Sequence, residues 1–207
     1  MAQFLQVHPQ NPQARLIQIA VKLLASGGVM AVPTDSSYAL VCHLDDKTAV
    51  DHLRRIRGVD ERHHLTLLCR DLSDLSSYAK VDNRQFRLLK AATPGPFTFI
   101  LEANAQVPKM LHSQKKTVGI RVPNHGVPRA IVDLLGHPIL STSLLQGEED
   151  PIEYSTDPEL IFEKYQHEVD LVIDGGYGAP IPSTILDCTG EEVVCLREGL
   201  GKLEDLL

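Results

Sequence analysis

Hydrophobic side chains recur along the chain at two different spacings, which predict helices and strands in alternation. After Asn11-Pro12, apolar residues follow every three or four positions as far as Gly27-Gly28, the spacing of a capped amphipathic helix. A second such stretch runs from about Asp46 to Gly58, two shorter ones precede Pro94, and another spans about 127–135. These stretches predict helices that each lay one apolar face against a core.

Short, continuous apolar runs between the helices predict buried strands. They lie at 28–32, 65–69, 97–101, 117–122, 169–173, 183–186 and 193–197, and an acidic loop is predicted before residue 169. The strands alternate with helices early in the chain and cluster late. This order predicts an α/β fold with a twisted, mixed parallel and antiparallel sheet and flanking helices. No repeat or low-complexity linker divides the 207 residues, so we expect a single domain over 1–207.

The composition is that expected of a cytoplasmic protein with a sizeable core. Hydrophobic residues make up 43% of the chain, yet no run approaches the ~20 apolar residues of a membrane-spanning helix, and the first ten residues lack a signal-peptide pattern. The cysteines lie among apolar neighbours without a CxxC pair, which predicts reduced core thiols and no metal site. They are Cys42, Cys69, Cys188 and Cys195.

The formal net charge of −7 conceals a segregation of charge along the chain. Residues 47–129 carry 15 basic and seven acidic side chains, whereas residues 130–207 carry three basic and 17 acidic ones. Such a chain can fold with one basic face that attracts phosphate groups and an acidic face that keeps it in solution. The alternative is that the basic side chains are solvated on ordinary helix faces.

The basic segment places arginines and lysines at helical spacing in two predicted helices. One cluster lies in the last turn before Gly58, where positive charge also suits the helix dipole. Its members are Arg54, Arg55 and Arg57. The other is predicted to form a basic stripe over a core face that carries Phe86 and Leu89. Its members are Arg84, Arg87 and Lys90, which together with Arg54 are the candidate RNA contacts.

Hydroxyl groups and arginines are the candidate chemistry, because the phosphate-loop, GxGxxG, GxSxG and HExxH motifs are all absent. Arg121 alternates with apolar neighbours in a predicted strand, so it must face solvent or an anion, and Arg121→Ala is expected to leave the melting temperature nearly unchanged. Hydroxyls also gather at strand ends, where ligands bind in open α/β sheets. They are Thr34, Ser36, Ser37, Ser143 and Ser183. Together these groups predict an anionic ligand, either a substrate or an RNA backbone.

Six segments, taken in order, resemble the YrdC/YciO family, whose best-known members are threonylcarbamoyl-adenylate synthases. They read VPTDSSYAL at 32–40, TPGPFT at 93–98, VGIRVPNH at 118–125, PILSTS at 138–143, PSTILD at 182–187 and REG at 197–199. Any one of them alone is weak, but the ordered set spans most of the chain and is specific. The resemblance is closest to the YciO branch of the family.

The resemblance implies a basic concave cleft that holds ATP, an amino acid and bicarbonate, or double-stranded RNA. Similar members form threonylcarbamoyl-AMP and pyrophosphate from ATP, bicarbonate and L-threonine, with magnesium, for tRNA modification. The implied roles are amino-acid binding by Thr34, catalysis at the junction of carbamate and phosphates by Arg55 and Arg57, and ATP binding by Ser143, Ser183 and Arg197. Arg121 is a further substrate-binding candidate.

Two departures from the family pattern lie where catalysis is implied. The KxRP motif is Arg55-Ile56-Arg57-Gly58 here, and the SxN motif is Ser143-Leu144-Leu145, without the nucleotide-facing asparagine. One hypothesis is therefore a threonylcarbamoyl-AMP synthase of weak or diverged activity. The second is binding of double-stranded RNA, tRNA or rRNA, in the same cleft without catalysis. A third is a partner protein whose cleft binds nothing.

Overall fold

Eleven strands form one sheet in the computed structural model, which describes residues 1–61, 63–111, 116–144 and 151–206. The strands are β1 (Gln3–Gln6), β2 (Met30–Val32), β3 (Ala39–His43), β4 (Thr66–Leu68), β5 (Ala79–Lys80), β6 (Phe97–Ala103), β7 (Thr117–Arg121), β8 (Ile139–Ser143), β9 (Leu171–Asp174), β10 (Thr184–Asp187) and β11 (Val194–Arg197). The α-helices of the described residues are α1 (Ala14–Ala25), α2 (Lys47–Arg57), α3 (Leu72–Tyr78), α4 (Asn83–Ala92), α5 (Gly126–Leu135), α6 (Glu153–Thr156) and α7 (Pro158–Tyr165). Short 3-10 helices lie at Lys109–Leu111 and Leu203–Leu206.

The sheet mixes parallel and antiparallel pairs, as the order of elements predicts. Its strand order is β1-β9-β2-β3-β8-β4-β7-β6-β10-β11, and β5 pairs with β6 off this path. Four pairs are parallel, namely β1 with β9, β9 with β2, β4 with β7 and β6 with β10. The remaining pairs are antiparallel. The predicted mixed sheet with flanking helices is confirmed.

Two hydrophobic clusters lie on opposite faces of the sheet. The smaller cluster joins α1 and α5 to β2, β9 and parts of β3 and β8. The larger cluster joins α2, α3, α4 and α7 to the other face. Because successive side chains of a strand point to opposite faces, β2, β3, β4, β8 and β9 contribute to both clusters, whereas β6, β7 and β10 contribute only to the larger one. The α1/α5 layer covers only part of its face, which leaves the opposite half of that face for other groups.

The ends of α2 follow the sequence signals closely. The Asp46 carboxylate accepts a hydrogen bond from the backbone N–H of Ala49 at 3.0 Å, and Gly58 ends the helix with φ +69°. Glycine adopts this left-handed backbone without the strain that a Cβ would impose. At α1 the predicted N-terminal cap is wrong, because the N-cap is Gln13, which makes no side-chain cap, whereas Gly27 follows the end of the helix with φ +87° as predicted. The Gln13 Oε1 instead accepts a hydrogen bond from the backbone N–H of His8 at 3.0 Å.

Several elements differ from the sequence predictions. The strands β1, β3, β5 and β8 were not among the predicted strands; β5 has only two residues, and β3 and β8 overlap the motif segments at 32–40 and 138–143. The region predicted as an acidic loop contains α6 and α7, and α7 begins with an Asp157 cap followed by Pro158. Cys195 is exposed on β11, unlike the three other cysteines, which are buried as predicted. Within the described residues, no helix is long and apolar enough to cross a membrane.

Candidate functional site

The half of the sheet face that α1 and α5 leave uncovered forms a cavity of about 410 Å³. Side chains of alternating strand positions form its floor. Phe99, Ile120 and Leu140 point into the larger core, so the residues next to them in each strand point to the cavity. The neighbours that line it from β3, β4, β6, β7, β8 and β10 are Ala39, Thr66, Leu68, Thr98, Ile100, Arg121, Ser141, Ser143 and Ile185. Thr142, near the end of β8, also lines it, although it alternates with Ser141 and Ser143. Loops and the ends of α2 and β11 add Ser36, Ser37, Arg57, His63, His64, Pro182, Ser183, Leu196 and Arg197.

Gly119 lies at the centre of this floor. It pairs with Thr66 of β4 and with Ile100 of β6. A Cβ at position 119 would lie 3.1 Å from Thr66 Oγ1 and 3.4 Å from the Leu65 carbonyl oxygen, closer than most real contacts. A side chain at position 119 would therefore crowd the hydroxyl of Thr66, one of the residues that line the cavity.

The loop between β2 and β3 is held by the hydroxyl of Thr34. That hydroxyl donates to the Ser37 carbonyl oxygen at 2.7 Å and accepts from the Ser36 backbone N–H at 3.0 Å. It also accepts from Arg121 Nη2 at 3.3 Å. Thr34 is buried and is not among the described cavity-lining residues. The structure therefore gives Thr34 the part of a loop-positioning residue, and Ser36 and Ser37 reach the cavity in its place.

Arg121 and Asp35 form a buried ion pair beneath the cavity. Their side chains are 9% and 12% exposed, and Asp35 also accepts a hydrogen bond from the Asn124 backbone N–H at 2.9 Å. Arg121 Nη2 additionally donates to Ser36 Oγ at 3.0 Å. The sequence predicted that Arg121 faces solvent or an anion. In the structure, it faces the carboxylate of Asp35 in the same chain. Arg121 Nε is buried and has no hydrogen-bond partner among the described residues.

Arg57 marks one end of the cavity. Its Nε donates to the Ser143 carbonyl oxygen at 2.8 Å, although α2 packs on the other face of the sheet. The hydroxyls of Ser143 and Ser37 are hydrogen-bonded at 3.0 Å, which ties β8 to the loop that follows β2. One guanidinium and two hydroxyls therefore meet at this end. This is a donor set suited to a carboxylate or phosphate.

Arg197 marks the opposite end, on β11. Its Nε and Nη2 donate to the Ser183 carbonyl oxygen at 3.1 and 2.8 Å. The hydroxyls of Ser183 and Thr98 are hydrogen-bonded at 2.8 Å. Burial, and secondarily the positive charge of Arg121, lower the pKa of the Arg197 guanidinium below its ordinary value. Both causes disfavour the charged form, so an anion placed between the two arginines would stabilise it.

Two histidines line the cavity from the loop between α2 and β4. His63 Nε2 lies 3.5 Å from Thr142 Oγ1, and the His63 backbone N–H donates to the Asp60 carbonyl oxygen at 3.1 Å. Burial, then the charges of Arg57, His64 and Arg54, lower the pKa of His63 below 6.5, while Asp60 opposes them. Both histidines are exposed, and both line the cavity.

Several predicted site residues lie elsewhere. Arg55 is exposed and is not among the described lining residues. Residues two positions apart in a helix differ by about 200° around its axis, so Arg55 points away from the cavity that Arg57 lines. Arg54 is half-buried on the same helix, with an Nε that lacks a partner among the described residues. Neither arginine therefore joins Arg57 in the cavity.

The basic stripe on α4 lies on the other side of the sheet from the cavity. Leu89 and Ala92 of this helix pack into the larger cluster, on the face opposite Thr98 and Arg121. Arg84 is also tied to the loop after β10, since it donates to the carbonyl oxygens of Glu191 and Gly190. Arg87 and Lys90 are exposed. The structure thus does not unite the stripe with the cavity in one basic cleft.

Thr66, Thr98 and Ser141 were missed by the sequence analysis. Thr66 and Thr98 are single polar residues within otherwise apolar runs, the period-two signal of a strand face that meets something other than core, whereas Ser141 begins the hydroxyl run Ser141-Thr142-Ser143. None of the described lining residues is a carboxylate. The described parts of the chain also contain no cluster of three or more His, Cys, Asp or Glu residues that could hold a metal ion.

Comparison with known proteins identifies the family of the chain. The family model described as Sua5/YciO/YrdC, telomere recombination, matches residues 22–199. The chain belongs to this family. It is 46% identical to YciO of Escherichia coli (strain K12) over 208 residues, with 100% of both chains covered. The predicted family resemblance is confirmed.

Solved structures of Sua5/YciO/YrdC proteins share the fold. The crystal structure of E. coli YciO superposes with a TM-score of 0.94 and covers 100% of both chains at 46% identity. The crystal structure of P. abyssi Sua5 complexed with L-threonine has a TM-score of 0.88 at 25% identity. That match covers 98% of this chain and 59% of Sua5, so Sua5 contains a large region that this chain does not match.

The residues that differ from the Sua5/YciO/YrdC motifs lie near Ser143 and on α2. Leu144, which follows the site residue Ser143, is 2% exposed and packs in the larger core cluster. Its backbone N–H donates to the Tyr38 carbonyl oxygen at 3.0 Å. Leu145, at the position of the family's asparagine, lies outside the described residues. The arginine that replaces the family's lysine, Arg55, points away from the cavity.

Proposed function

We propose that the cavity binds ATP with magnesium, L-threonine and bicarbonate, and forms threonylcarbamoyl-AMP at a low rate. The observation that carries this proposal is the convergence of Arg57, Arg121 and Arg197 with hydroxyls on one sheet face, without a carboxylate among the described lining residues. Three guanidinium groups suit an ATP triphosphate and a carbamate, both of which are anionic. The volume of about 410 Å³ falls within the usual range of small-molecule sites.

The two ends of the cavity suit different parts of these substrates. Around Arg197, the apolar side chains Ile185 and Leu196 lie beside the hydroxyl of Ser183, which suits a nucleoside followed by phosphate. Around Arg57, the Ser37 and Ser143 hydroxyls provide polar contacts for the smaller amino acid. The L-threonine complex of Sua5, a relative at 25% identity, supports an amino acid as one substrate.

The proposed reaction needs positioning and charge neutralisation more than covalent participation of the protein. The threonine amine bonds to the carbon of bicarbonate, and water leaves, to give a carbamate. A carbamate oxygen then attacks the α-phosphorus of ATP while the bond to pyrophosphate breaks. Arg57 and Arg197 would neutralise the phosphate charge in this step, and Arg121, whose charge Asp35 offsets, would add hydrogen bonds. Magnesium would arrive on the ATP phosphates, as it commonly does when protein carboxylates are few.

The departures from the family pattern explain the expected low rate. Arg55 is exposed, so the charge that the family's lysine would supply is not delivered to the cavity. The missing asparagine removes a nucleotide contact worth about 1–3 kcal/mol. Both changes weaken ATP binding or its alignment without removing the arginines that face the phosphates.

Calorimetric titration with ATP and magnesium, with and without threonine and bicarbonate, tests this proposal. We expect saturable ATP binding that threonine strengthens, followed by formation of pyrophosphate and threonylcarbamoyl-AMP in a product assay. Absence of ATP binding at low and moderate salt would overturn it. ATP binding without product would reduce the proposal to a nucleotide-binding protein.

Binding of double-stranded RNA without catalysis is the alternative. The sequence placed such binding in the same cleft, with Arg54, Arg84, Arg87 and Lys90 as candidate contacts. Because the three contacts on α4 lie across the sheet from the cavity, it would use that face instead. Such binding would weaken as salt rises, because phosphate contacts release counterions. It would also be independent of ATP, since no described stripe residue lines the cavity.

A further inference from the structure

His63 lies at the end of the cavity where the proposed carbamate forms, and this inference rests on the proposed function. Bringing together a threonine ammonium group and bicarbonate forms one N–C bond, releases one water and liberates one proton. Charge balances, because the ammonium carries +1, bicarbonate −1, the carbamate −1 and the released proton +1. A site that carries out this step efficiently needs a group that accepts the proton.

The described lining residues offer few groups able to do so. Their titratable members are three arginines and two histidines. Arginine stays protonated in proteins, and serine or threonine hydroxyls do not accept a proton at neutral pH. Among these residues, only His63 and His64 can therefore accept the proton.

The geometry favours His63 over its neighbour. Its Nε2 lies 3.5 Å from Thr142 Oγ1 on β8, a long and weak hydrogen bond that orients the ring without engaging it strongly. The hydrogen bond from its backbone N–H to the Asp60 carbonyl oxygen, 3.1 Å long, fixes the turn that carries it. For His64, no comparable contact anchors the ring among the described residues.

We propose that His63 accepts the proton released when the threonine amine forms the carbamate. Arg57, next to it, holds the negative charge of the bicarbonate and of the carbamate that replaces it. The neutral imidazole takes the proton on Nε2 and returns it to solvent through the open mouth of the cavity.

The charges around the ring keep it ready for this role. Arg57 and Arg54 from α2 and His64 from the same loop disfavour the imidazolium, and Asp60 favours it, but burial and the arginines prevail. The pKa of His63 consequently lies below 6.5, and the ring is neutral at pH 7. Activity that depends on it should fall as the solution is acidified through that pKa.

The test separates carbamate formation from transfer to ATP. The forward assay follows pyrophosphate release from ATP, threonine and bicarbonate between pH 6 and 9. The reverse assay follows ATP formation from synthetic threonylcarbamoyl-AMP and pyrophosphate, a step that moves no proton to His63. The variants are His63→Gln and His64→Gln, with His167→Gln as a matched control on an exposed position after α7.

We expect His63→Gln to lower the forward rate at pH 7 by about 100-fold and to leave the reverse rate unchanged. Raising the pH should narrow the difference, because more threonine is then present as the free amine. Equal loss in both directions would show a positioning role and overturn the proposal. So would an unchanged forward rate, or a loss confined to His64→Gln. A wild-type protein inactive in both directions would instead overturn the proposed function itself.

Discussion

At the residue scale, the two arginines of the KxRP-like motif, Arg55 and Arg57, have different environments. Arg57 lines the cavity and bonds to the end of β8, whereas Arg55 is exposed. We expect Arg57→Ala to weaken ATP binding by about 10- to 100-fold, the loss of about 1.5–3 kcal/mol from a charge-assisted hydrogen bond. The matched variant Arg55→Ala should bind ATP as the wild type does. Calorimetric titration measures both, and equal losses would contradict the assignment.

The buried pair of Arg121 and Asp35 changes a prediction made from the sequence. Arg121→Ala was expected to leave the melting temperature nearly unchanged, on the premise that the side chain faces outward. Since the pair is almost fully buried, removing one partner leaves an uncompensated charge. We now expect Arg121→Ala to lower the free energy of unfolding by about 3–5 kcal/mol, measured by urea denaturation. Arg87→Ala, on an exposed face, should change it by at most about 0.5 kcal/mol.

At the scale of the element, helical spacing correctly predicted one of the two core residues expected on α4. The sequence placed Phe86 and Leu89 together against the core. Leu89 is 1% exposed, but Phe86, about one turn earlier in the helix, is 44% exposed. The helix begins with a capping box between Asp82 and Gln85, and Gln85 Nε2 also donates to the Cys188 carbonyl oxygen at 2.6 Å. Gln85 thus occupies a half-buried position that the pattern gave to Phe86.

This difference gives a paired stability prediction for α4. Leu89→Ala removes a fully buried side chain and should lower the free energy of unfolding by about 2–5 kcal/mol. Phe86→Ala removes a side chain that is nearly half exposed, and its effect should stay below about 1 kcal/mol. Thermal or urea unfolding followed by circular dichroism measures both. A larger loss in Phe86→Ala than in Leu89→Ala would contradict the orientation of the helix.

At the scale of the whole molecule, the sheet separates the cavity from the α4 stripe. ATP with magnesium at about 100 times its dissociation constant should raise the free energy of unfolding by about 2.7 kcal/mol. For a chain of this size, that corresponds to an increase of about 5–10 °C in melting temperature. A combined Arg84→Ala, Arg87→Ala and Lys90→Ala variant should show the same increase, because no described stripe residue lines the cavity. Loss of the increase in that variant would show that the two surfaces cooperate.

The sequence by itself determined the local structure and the family. Apolar spacing predicted α1, α2, α4 and α5, and short apolar runs predicted most strands of the mixed sheet, because helix and strand periodicities are properties of neighbouring residues. The ordered motifs predicted the family, because each motif is also a short run of neighbouring residues. Asp46 and Gly58 marked the ends of α2 correctly.

Tertiary structure decided which of these residues share a site. It placed Arg57, Arg121 and Arg197 in one cavity and left Arg55 and the α4 stripe outside, since those positions depend on which helix face meets the sheet and on which sheet face a helix covers. It also saturated the Thr34 hydroxyl with loop contacts and brought His63 within 3.5 Å of Thr142. Such contacts join residues that are far apart in the chain. No local pattern encodes them, because they arise only when strands from both halves of the sequence are paired.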